Sequence, residues 1–444
     1  MEIRKLTKEE EGEILKISPS EINKKKTFYQ KLVVNYFIQN KRILANLFTR
    51  AGKSYLTLDA ITRYRVKYND KICIVAPSDD IIKAWKKLLL HIDNIEYYVI
   101  NSYTIGDVKI NKKYGMFIVD EVHRVLNANS LWFSTTIPST EFDYFLALSG
   151  TMGDDKIKLL ESFSVNHCFQ IPLKTGYKLE VIPEFITYNI PVNFTEEEKK
   201  LYIQANNNYN NQIEFFSKFS EKSTAYFISC ILQNKSLKYE GKLLNREQLV
   251  FLIQDKLQTT KGNIFIRAKL WREAMMQRTQ LLHNAENKIK AVVDFCNNNK
   301  GQKLVFTFKT DIADKIVAQT KSAKAHHSKI KPDSLNQQNK QEFVDKVFEN
   351  LIVCKSVDMG FTADLDYISS ITFDSSIETS EQRAGRGMLK TNENPDKIVR
   401  IINFYVNDFE YQGKKFYSQD IIWIQRSQKK QSFINWVNSI QDIS

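Results

Sequence analysis

The sequence predicts a mixed α/β protein, with two parallel-sheet units on either side of a mostly helical segment. Strand-like runs are short and apolar almost throughout, as strands buried on both faces are. Stretches with helical spacing separate these runs, as connections between parallel strands require. The alternation stops near residue 175 and resumes near residue 291. With 444 residues, 43% of them hydrophobic and 12% aromatic, the chain can bury more than one core. That composition excludes a disordered chain.

The first predicted unit covers residues 1–175. Residues 1 to about 40 are predicted to be helical, with polar interruptions. The strand-like runs that follow are "RILANLF", "KICIVAP", "EYYVIN", "GMFIVD" and "YFLALSG". Helical segments over 54–68 and 79–91 suit right-handed crossovers between parallel strands. We therefore expect one parallel sheet in this unit.

Residues 176–290 are predicted to form a strand-containing, mostly helical insertion. It opens with the strand-like run "YKLEVIPEFITYNIPV", and "TEEEKKLY" then has the spacing of a helix capping box. The α/β alternation resumes over 291–410 in "KLVFTFK", "ENLIVCK", "YISSITFD" and "VRIINFYV". The remaining residues, 411–444, are predicted to be a helical tail, with "WIQRSQKKQSFINWVNSI" as a basic amphipathic helix.

The charge of the chain favours a polyanionic partner. Lys and Arg number 64 against 51 Asp and Glu, which gives a formal net charge of +13. An excess of this sign and size indicates nucleic acid first, and simple solubility is the alternative.

Five scattered cysteines, with no close pair, indicate reduced thiols rather than a disulfide framework or a zinc site. The N-terminus lacks the apolar segment of a signal peptide. No apolar run approaches the roughly 18 residues that a membrane span needs. We expect a soluble cytoplasmic protein with no membrane partner.

The segment "LFTRAGKS" is predicted to bind phosphate, because it joins a strand to a helix N-terminus through a tight loop. In such a loop Lys53 reaches the β- and γ-phosphates, and Ser54 holds Mg²⁺. Two residues depart from the usual pattern, since Leu47 and Arg50 stand where many such loops have glycine. The alternative is a chance Gly-Lys-Ser before a helix.

A second motif, "MFIVDEVH", is an apolar strand that ends in Asp120 and Glu121. The carboxyl ends of parallel strands are where open α/β sheets bind ligands. Asp120 is predicted to hold Mg²⁺ through water, and Glu121 to polarise the attacking water. A solvated acidic pair at a strand end is the alternative.

Two further motifs complete the predicted site. "LALSGT" places Ser149 and Thr151 at another strand end, and "SEQRAGRGMLK" carries Gln382, Arg383 and Arg386 in the second unit. An arginine that reaches across from a second domain can stabilise the charge on a transferring phosphoryl group. The alternative for the last motif is a solvated basic helix.

In this order, the motifs resemble those of superfamily 2 helicases and translocases, over residues 28 to 410. The resemblance implies two RecA-like domains with ATP and Mg²⁺ bound between them. The ATP-binding residues it implies are Gln30 in the adenine-recognising "TFYQ", Thr49, Arg50, Ala51, Gly52, Lys53 and Ser54. It implies nucleic-acid contacts at Ser102 and Tyr103 in "INSYTI". It also implies coupling of hydrolysis to movement through His123, Ser149, Thr151 and Gly360.

The chain departs from this family's pattern at four positions. Besides Leu47 and Arg50, Thr362 stands where an acidic residue is usual, and Leu389 where many members have a further arginine. Within the family, "NLFTRAGKS" and the compact size most resemble phage branch-processing helicases of the UvsW type. An Asn-, Lys- and Ile-rich composition suits an AT-rich phage or viral genome, which would place the protein in the host cytoplasm.

The insertion interleaves basic and aromatic residues, a combination that can hold phosphates and stack bases. We predict nucleic-acid contacts at Lys256 and Lys261, with a purely structural helical bundle as the alternative. His326 and His327 are adjacent, and no cysteine or acidic cluster joins them. They are therefore interpreted as structural rather than as metal ligands.

Together these patterns predict a monomeric, ATP-dependent DNA helicase or translocase. One alternative is a viral DNA-packaging motor ATPase, a family in which an arginine inside the phosphate loop is common, so that Arg50 would reach the γ-phosphate. The other is a catalytically impaired nucleic-acid clamp, which the departures at Leu47, Thr362 and Leu389 motivate.

Overall fold

The computed structural model describes residues 1–99, 113–126, 137, 140–150, 152, 154–220, 224–354, 363–373, 380, 383–387, 389–390, 396–429 and 433–443, with the side chains of 154, 155 and 238 excepted. These residues form two seven-stranded sheets, and all neighbouring strands in both sheets are parallel. The α/β class predicted from the sequence is confirmed.

The first sheet has the strand order β1-β7-β2-β6-β5-β3-β4. Its strands are β1 (Glu2–Arg4), β2 (Arg42–Leu47), β3 (Ile72–Ala76), β4 (Ile95–Val99), β5 (Lys113–Val119), β6 (Glu141–Ser149) and β7 (His167–Ile171). The central strands β2, β5 and β6 are buried along most of their length, as their apolar runs predicted. Strand β1 lies in a segment predicted to be helical, and that prediction is wrong there. Three residues have no periodicity to detect, and their pairing with β7 decides their conformation.

Helices cover both faces of this sheet. They are α1 (Lys8–Lys16), α2 (Ile22–Asn40), α3 (Lys53–Arg65), α4 (Asp79–Leu88), α5 (Asp154–Glu161) and α6 (Leu173–Lys178). Two separate hydrophobic clusters lie against the sheet. The start of α4 shows how the sequence sets a boundary, because the Ser78 hydroxyl accepts a hydrogen bond from the backbone N–H of Ile81.

Strand β8 (Glu184–Val192) leads into the helical insertion. The insertion contains α7 (Glu196–Ser217), α8 (Thr224–Gln233), a hairpin of β9 (Leu237–Tyr239) and β10 (Lys242–Leu244), α9 (Arg246–Leu257) and α10 (Lys261–Asn284). The predicted capping box of Thr195 and Glu198 is present at the start of α7. The insertion has a hydrophobic cluster of its own, built from residues such as Phe216, Ile228 and Leu249.

The second sheet has the order β12-β13-β11-β14-β15-β8-β18. Its remaining strands are β11 (Lys303–Thr307), β12 (Ala323–His326), β13 (Asn350–Cys354), β14 (Tyr367–Ser370), β15 (Ile398–Val406) and β18 (Ile434–Trp436). The sequence grouped β8 with the insertion, whereas in the structure β8 pairs with β15 and β18. The sheet to which β8 belongs is decided by partner strands that are distant in the sequence, so the residues of β8 alone do not indicate it.

The elements around the second sheet are α11 (Glu286–Asn298), α12 (Thr310–Gln319), α13 (Asp333–Val344), an antiparallel hairpin of β16 (Phe409–Tyr411) and β17 (Lys414–Phe416), and α14 (Gln419–Ser427). The sequence predicted one amphipathic helix over 423–440. In the structure α14 ends at Ser427 and the chain continues into β18, so that prediction is wrong. Pairing with the edge of β8 supplies hydrogen bonds that outweigh a local helical preference.

Two observations concern membrane-spanning helices and disulfide bonds. Among the described helices, none combines the length and the apolar character that crossing a bilayer demands. All five cysteines are buried and none forms a disulfide.

Candidate nucleotide-binding site

The loop between β2 and α3 is built around two residues with positive φ. Gly52 has φ +81° and precedes α3, where its carbonyl accepts the N–H groups of Tyr55 and Leu56. Arg50 has φ +75°, a conformation that costs a side chain about 1–2 kcal/mol. Arg50 therefore stands at a position where the backbone favours the glycine of the common pattern.

Residues of α2 hold this loop by its carbonyl groups. Gln30 is buried, and its Nε2 donates to the carbonyls of Ala51, at 2.9 Å, and Gly52, at 3.3 Å. The Tyr29 hydroxyl donates to the same Ala51 carbonyl at 3.0 Å. A Cβ at Gly52 would lie only 2.3 Å from Gln30 Nε2 and would displace the amide from these carbonyls, and the φ of +81° also favours glycine. The resemblance assigned Gln30 to adenine, whereas in the structure its amide nitrogen contacts the loop backbone.

The carboxyl ends of β2, β5 and β6 bring predicted site residues together. Lys53 Nζ lies 3.6 Å from Glu121 Oε1, and Glu121 Oε2 lies 3.4 Å from His123 Nδ1. His123 Nδ1 is 3.2 Å from the Ser149 hydroxyl. A Cβ at Gly150 would lie 3.3 Å from Thr49 Oγ1 and 3.4 Å from Lys53 Nζ, so the end of β6 closes over the loop.

The two adjacent carboxylates have different environments. Burial, together with the neighbouring charge of Glu121, raises the pKa of Asp120 to about 6. Burial also opposes ionisation of Glu121, but the cations of Lys53, His123, Arg124 and Arg386 lower its pKa below the ordinary value. Environments that separate two acids in this way are typical of sites where each acid has its own task.

Trp85 on α4 orients Asp120, a contact that the sequence did not suggest. The indole Nε1 donates to Asp120 Oδ2 at 3.1 Å, and the backbone N–H of Glu121 donates to Oδ1 at 2.9 Å. Glu121 itself has φ +48°, so its backbone turns sharply at the end of β5. The available signal was a tryptophan in the helix after β3, but only packing shows which group it meets.

The two arginines of the motif "SEQRAGRGMLK" differ in their contacts. Arg383 Nη1 donates to the Thr372 carbonyl at 2.7 Å, and its guanidinium lies 5.3 Å from the centre of the Phe306 ring. Both partners belong to the second unit. Arg386 is buried, and its charge acts on Glu121 of the first unit. The charge of Arg386 therefore helps to stabilise the ionised form of Glu121.

Arg50 connects the loop to the second unit. Its Nε donates to the Gly385 carbonyl at 3.3 Å. Burial, and then the charge of Arg386, lower the pKa of Arg50 to about 10. Burial and the charge of Arg50 likewise lower the pKa of Lys26, on α2, to about 8. Cations that repel one another in this way would be relieved by a bound polyanion.

The site's residues fit Mg²⁺ and a nucleoside triphosphate. Magnesium is usually held by one or two carboxylates together with substrate phosphates, and Asp120 and the exposed Ser54 supply a carboxylate and a hydroxyl. Glu121 Oε2 is buried and accepts no hydrogen bond from any described residue. An unsatisfied carboxylate oxygen beside a cationic loop is what a general base for water requires.

Several predicted residues lie outside the described residues, namely Ser102, Tyr103, Thr151, Gly360, Thr362 and Gln382. Lys256 and Lys261 are exposed on the insertion, far along the chain from the loop. Lys256 Nζ donates to the Phe219 carbonyl at 2.7 Å, so part of its bonding capacity is used within the insertion.

The two adjacent histidines have separate partners. His326 Nδ1 lies 3.1 Å from the Asn336 carbonyl, and His327 Nε2 lies 2.9 Å from Asp314 Oδ1. Over the described part of the chain, no group of three or more His, Cys, Asp or Glu residues could hold a metal ion.

No protein-family model matches the chain, and no curated protein matches its sequence. Among solved structures, the helicase domain of Hef from Pyrococcus furiosus is 13% identical, over 85% of this chain and 94% of that one, with a TM-score of 0.44. A fragment assigned as the HsdR subunit of a type I restriction enzyme from Vibrio vulnificus is 11% identical, over 93% of this chain and 68% of that one, with a TM-score of 0.55.

The likeness to the restriction-enzyme fragment concerns the fold. It agrees with the two parallel sheets described above, and the chain has the architecture expected of two RecA-like units with helices around them. The predicted architecture of two parallel-sheet α/β units is confirmed, and the activity is a separate question.

Proposed function

We propose that this protein is an ATP-dependent helicase or translocase that acts on nucleic acid. One observation supports the proposal above all others. At the carboxyl ends of β2 and β5, Lys53 lies 3.6 Å from Glu121, and the charge of Arg386 from the second unit acts on the same carboxylate. A phosphate loop, an acidic pair and an arginine from a second unit are the parts that phosphoryl transfer requires.

In this proposal the first sheet binds ATP and Mg²⁺. The backbone N–H groups at the start of α3 and the Lys53 ammonium hold the phosphates. Ser54 and Asp120 hold Mg²⁺, with Asp120 kept in place by Trp85. The metal, when bound, neutralises charge that develops on the phosphate oxygens. Gln30 and Tyr29 fix the loop's carbonyls, so that the loop's N–H groups keep their direction.

Glu121 acts as the general base and Arg386 as the group that stabilises the transition state. The pKa of Glu121 is lowered, so this side chain is ionised at neutral pH and can accept a proton from water. Its Oε2 is the atom that no described hydrogen bond occupies. Arg386 approaches from the second unit, so hydrolysis depends on how closely the two sheets approach each other.

Two contacts support coupling between hydrolysis and domain movement. His123 Nδ1 lies 3.4 Å from Glu121 Oε2 and 3.2 Å from the Ser149 hydroxyl, so the ring lies between this acid and the end of β6. Arg50 connects the phosphate loop to the Gly385 carbonyl. Hinge closure around a ligand between two units is a common way to convert binding into motion.

The finer parts of the proposal rest on the sequence. A net charge of +13 supports a nucleic-acid substrate, and we take DNA as that substrate. The similarity of "NLFTRAGKS" to phage helicases of the UvsW type supports a phage origin, and with it a monomer working in the host cytoplasm. Mg²⁺ and ATP are its expected cofactors.

The packaging-motor alternative requires Arg50 to serve the γ-phosphate. Against it, the Arg50 Nε donates to the Gly385 carbonyl of the second unit. The clamp alternative requires a disabled site, but Lys53, Asp120 and Glu121 stand together at the strand ends. Neither alternative gives Arg386 a role.

The test is ATP turnover by the purified protein alone and with single-stranded DNA, duplex DNA, forked DNA or RNA, with strand displacement measured in parallel. We expect Mg²⁺-dependent turnover that DNA stimulates and that Lys53→Ala abolishes. Turnover that no nucleic acid stimulates would contradict the translocase proposal. Tight DNA binding with no turnover under any condition would favour the clamp.

A further inference from the structure

A polar groove lies between the insertion and the hairpin of β16 and β17. Its volume is about 610 Å³, and its walls come from α7, α10, the hairpin and the start of α14. It lies outside the nucleotide site, and none of its residues belongs to a motif discussed above. We call it the basic groove, and its principal residues are Asn206, Asn210, Arg278, Lys414, Lys415 and Tyr417.

The basic groove is lined by cations and by no carboxylate. Arg278, Lys414 and Lys415 line it, and no Asp or Glu is among its lining residues. Among the described residues, no carboxylate lies within ion-pair distance of these three cations. Glu410 lies opposite Lys415 in the hairpin but outside the groove. This electrostatic balance selects an anionic ligand.

Arg278 is fixed in place but not satisfied. Its guanidinium lies 4.5 Å from the centre of the Tyr209 ring and 5.7 Å from that of Tyr202. Its Nε is buried and, among the described residues, has no hydrogen-bond partner. The two ring contacts hold this cation at the wall of the groove, which Arg278 lines.

The amide and aromatic side chains that line the groove indicate a ligand larger than a phosphate ion. Asn206 and Asn210 are one helical turn apart on α7, so their amides lie on the same face. The Tyr417 ring is 65% exposed, and Lys415 Nζ lies 5.3 Å from its centre. Cations hold a nucleic-acid backbone, exposed rings stack on unpaired bases, and side-chain amides bond to base edges. An acidic peptide would use the cations but not this set of rings and amides.

We propose that the basic groove binds a single-stranded segment of the nucleic acid on which the protein acts. The proposal rests on the function proposed above and adds a binding site to it. It adds a second expected contact of the insertion to the one predicted at Lys256 and Lys261. The Tyr202 hydroxyl donates to the Tyr417 carbonyl at 3.3 Å, so the two walls of the groove are joined.

The test compares two charge reversals of equal size. The first is the double variant Lys414→Glu, Lys415→Glu in the groove. The control is Lys300→Glu, Lys321→Glu, because both of these exposed lysines lie before strands of the second sheet, at the edge opposite the site. Binding of a fluorescent oligothymidine strand is measured by anisotropy over a series of salt concentrations. ATP turnover without DNA is measured for both variants.

We expect the groove variant to bind the strand at least about tenfold more weakly than the control variant. Each lost phosphate contact also lowers the salt slope of a single strand by about 0.7. Tyr417→Ala should weaken binding by about fivefold or more through lost stacking, with turnover in the absence of DNA unchanged. Since these side chains are exposed, folding should be intact, which the unfolding temperature checks.

Equal binding by the groove and control variants would overturn the groove proposal while leaving the proposed function intact. A wild-type protein that neither binds the strand nor responds to it in turnover would overturn both. Polyglutamate serves as the competing arm. If the groove variant loses polyglutamate but keeps the DNA strand, the partner is an acidic protein and the nucleic-acid proposal is wrong.

Discussion

Arg50 and Arg386 provide the sharpest test of the mechanism. Arg386 carries the transition-state role in the proposed function, whereas Arg50 would carry it in a packaging motor. Two substitutions separate these assignments. Arg386→Ala removes the buried guanidinium whose charge acts on Glu121. Arg50→Gly removes the bond to the Gly385 carbonyl and restores the residue that a φ of +75° favours.

The expected magnitudes differ widely. Loss of an arginine that stabilises phosphoryl transfer costs about 10³ in turnover, which is about 4 kcal/mol of barrier. Arg50→Gly relieves about 1–2 kcal/mol of left-handed strain. It forfeits a hydrogen bond of about 0.5–1.5 kcal/mol, and the freedom of glycine in the unfolded chain removes about 0.5–1 kcal/mol more. The net change in unfolding free energy is therefore within about 1 kcal/mol, and we expect turnover to change less than tenfold.

The assay is DNA-stimulated ATP turnover, combined with titration of a fluorescent ATP analogue and with urea unfolding. Both variants should bind nucleotide, and only Arg386→Ala should fail to turn it over. Lys300→Glu, a distant surface change, controls for nonspecific loss. An inactive Arg50→Gly beside a nearly normal Arg386→Ala would refute the helicase interpretation and support the packaging motor.

Three further outcomes follow from the structure. Gly52→Ala should abolish binding of the ATP analogue, because φ is +81° and an added Cβ would lie 2.3 Å from the Gln30 side-chain amide. The control is Gly262→Ala, since no atom lies within 4 Å of a Cβ added there. Equal binding of the analogue by the two variants would contradict the loop geometry. Lys288→Ala should lower the free energy of unfolding, measured in urea, by about 3–5 kcal/mol, because it leaves Asp420 buried without its cation. A decrease in unfolding free energy below about 1 kcal/mol would show that the ion pair contributes little to stability. Burial raises the folded-state pKa of Asp120 to about 6, so its contribution to stability is present at low pH and lost as pH rises through about 6. The stability of Asp120→Asn relative to the wild type should therefore rise by about 2 kcal/mol between pH 4 and pH 7. A difference in unfolding free energy that stays constant between the two pH values would argue against the shift.

The strands that carry the site were predictable because burial on both faces leaves an apolar run. Strands β2 and β5 are recognisable for that reason, and the rule that ligands bind at carboxyl ends then groups Lys53 with Asp120 and Glu121. Strands β1 and β18 were not predictable, since each has three residues and its stability comes from pairing with a distant strand.

The contacts that form when helices and loops pack together could not be predicted from the sequence either. The bond from Trp85 to Asp120 depends on how α4 lies over the sheet. The bond from Arg50 to Gly385 joins residues 335 positions apart. In the sequence Arg50 is a departure from a pattern. Only the structure gives it a partner.

The position of β8 has a consequence for the order in which the protein folds during synthesis. Its neighbours β15 and β18 are both made much later, and Asn189 of β8 receives a hydrogen bond at 2.9 Å from Asn403, which is 214 residues further along the chain. At 5–20 residues per second, the ribosome needs about 10–40 s to make that stretch. During that time both edges of β8 lack their final partners, while the first sheet has all of its strands. The nascent chain thus passes through a stage with a folded phosphate loop and an open strand, when it is most exposed to aggregation and to chaperones.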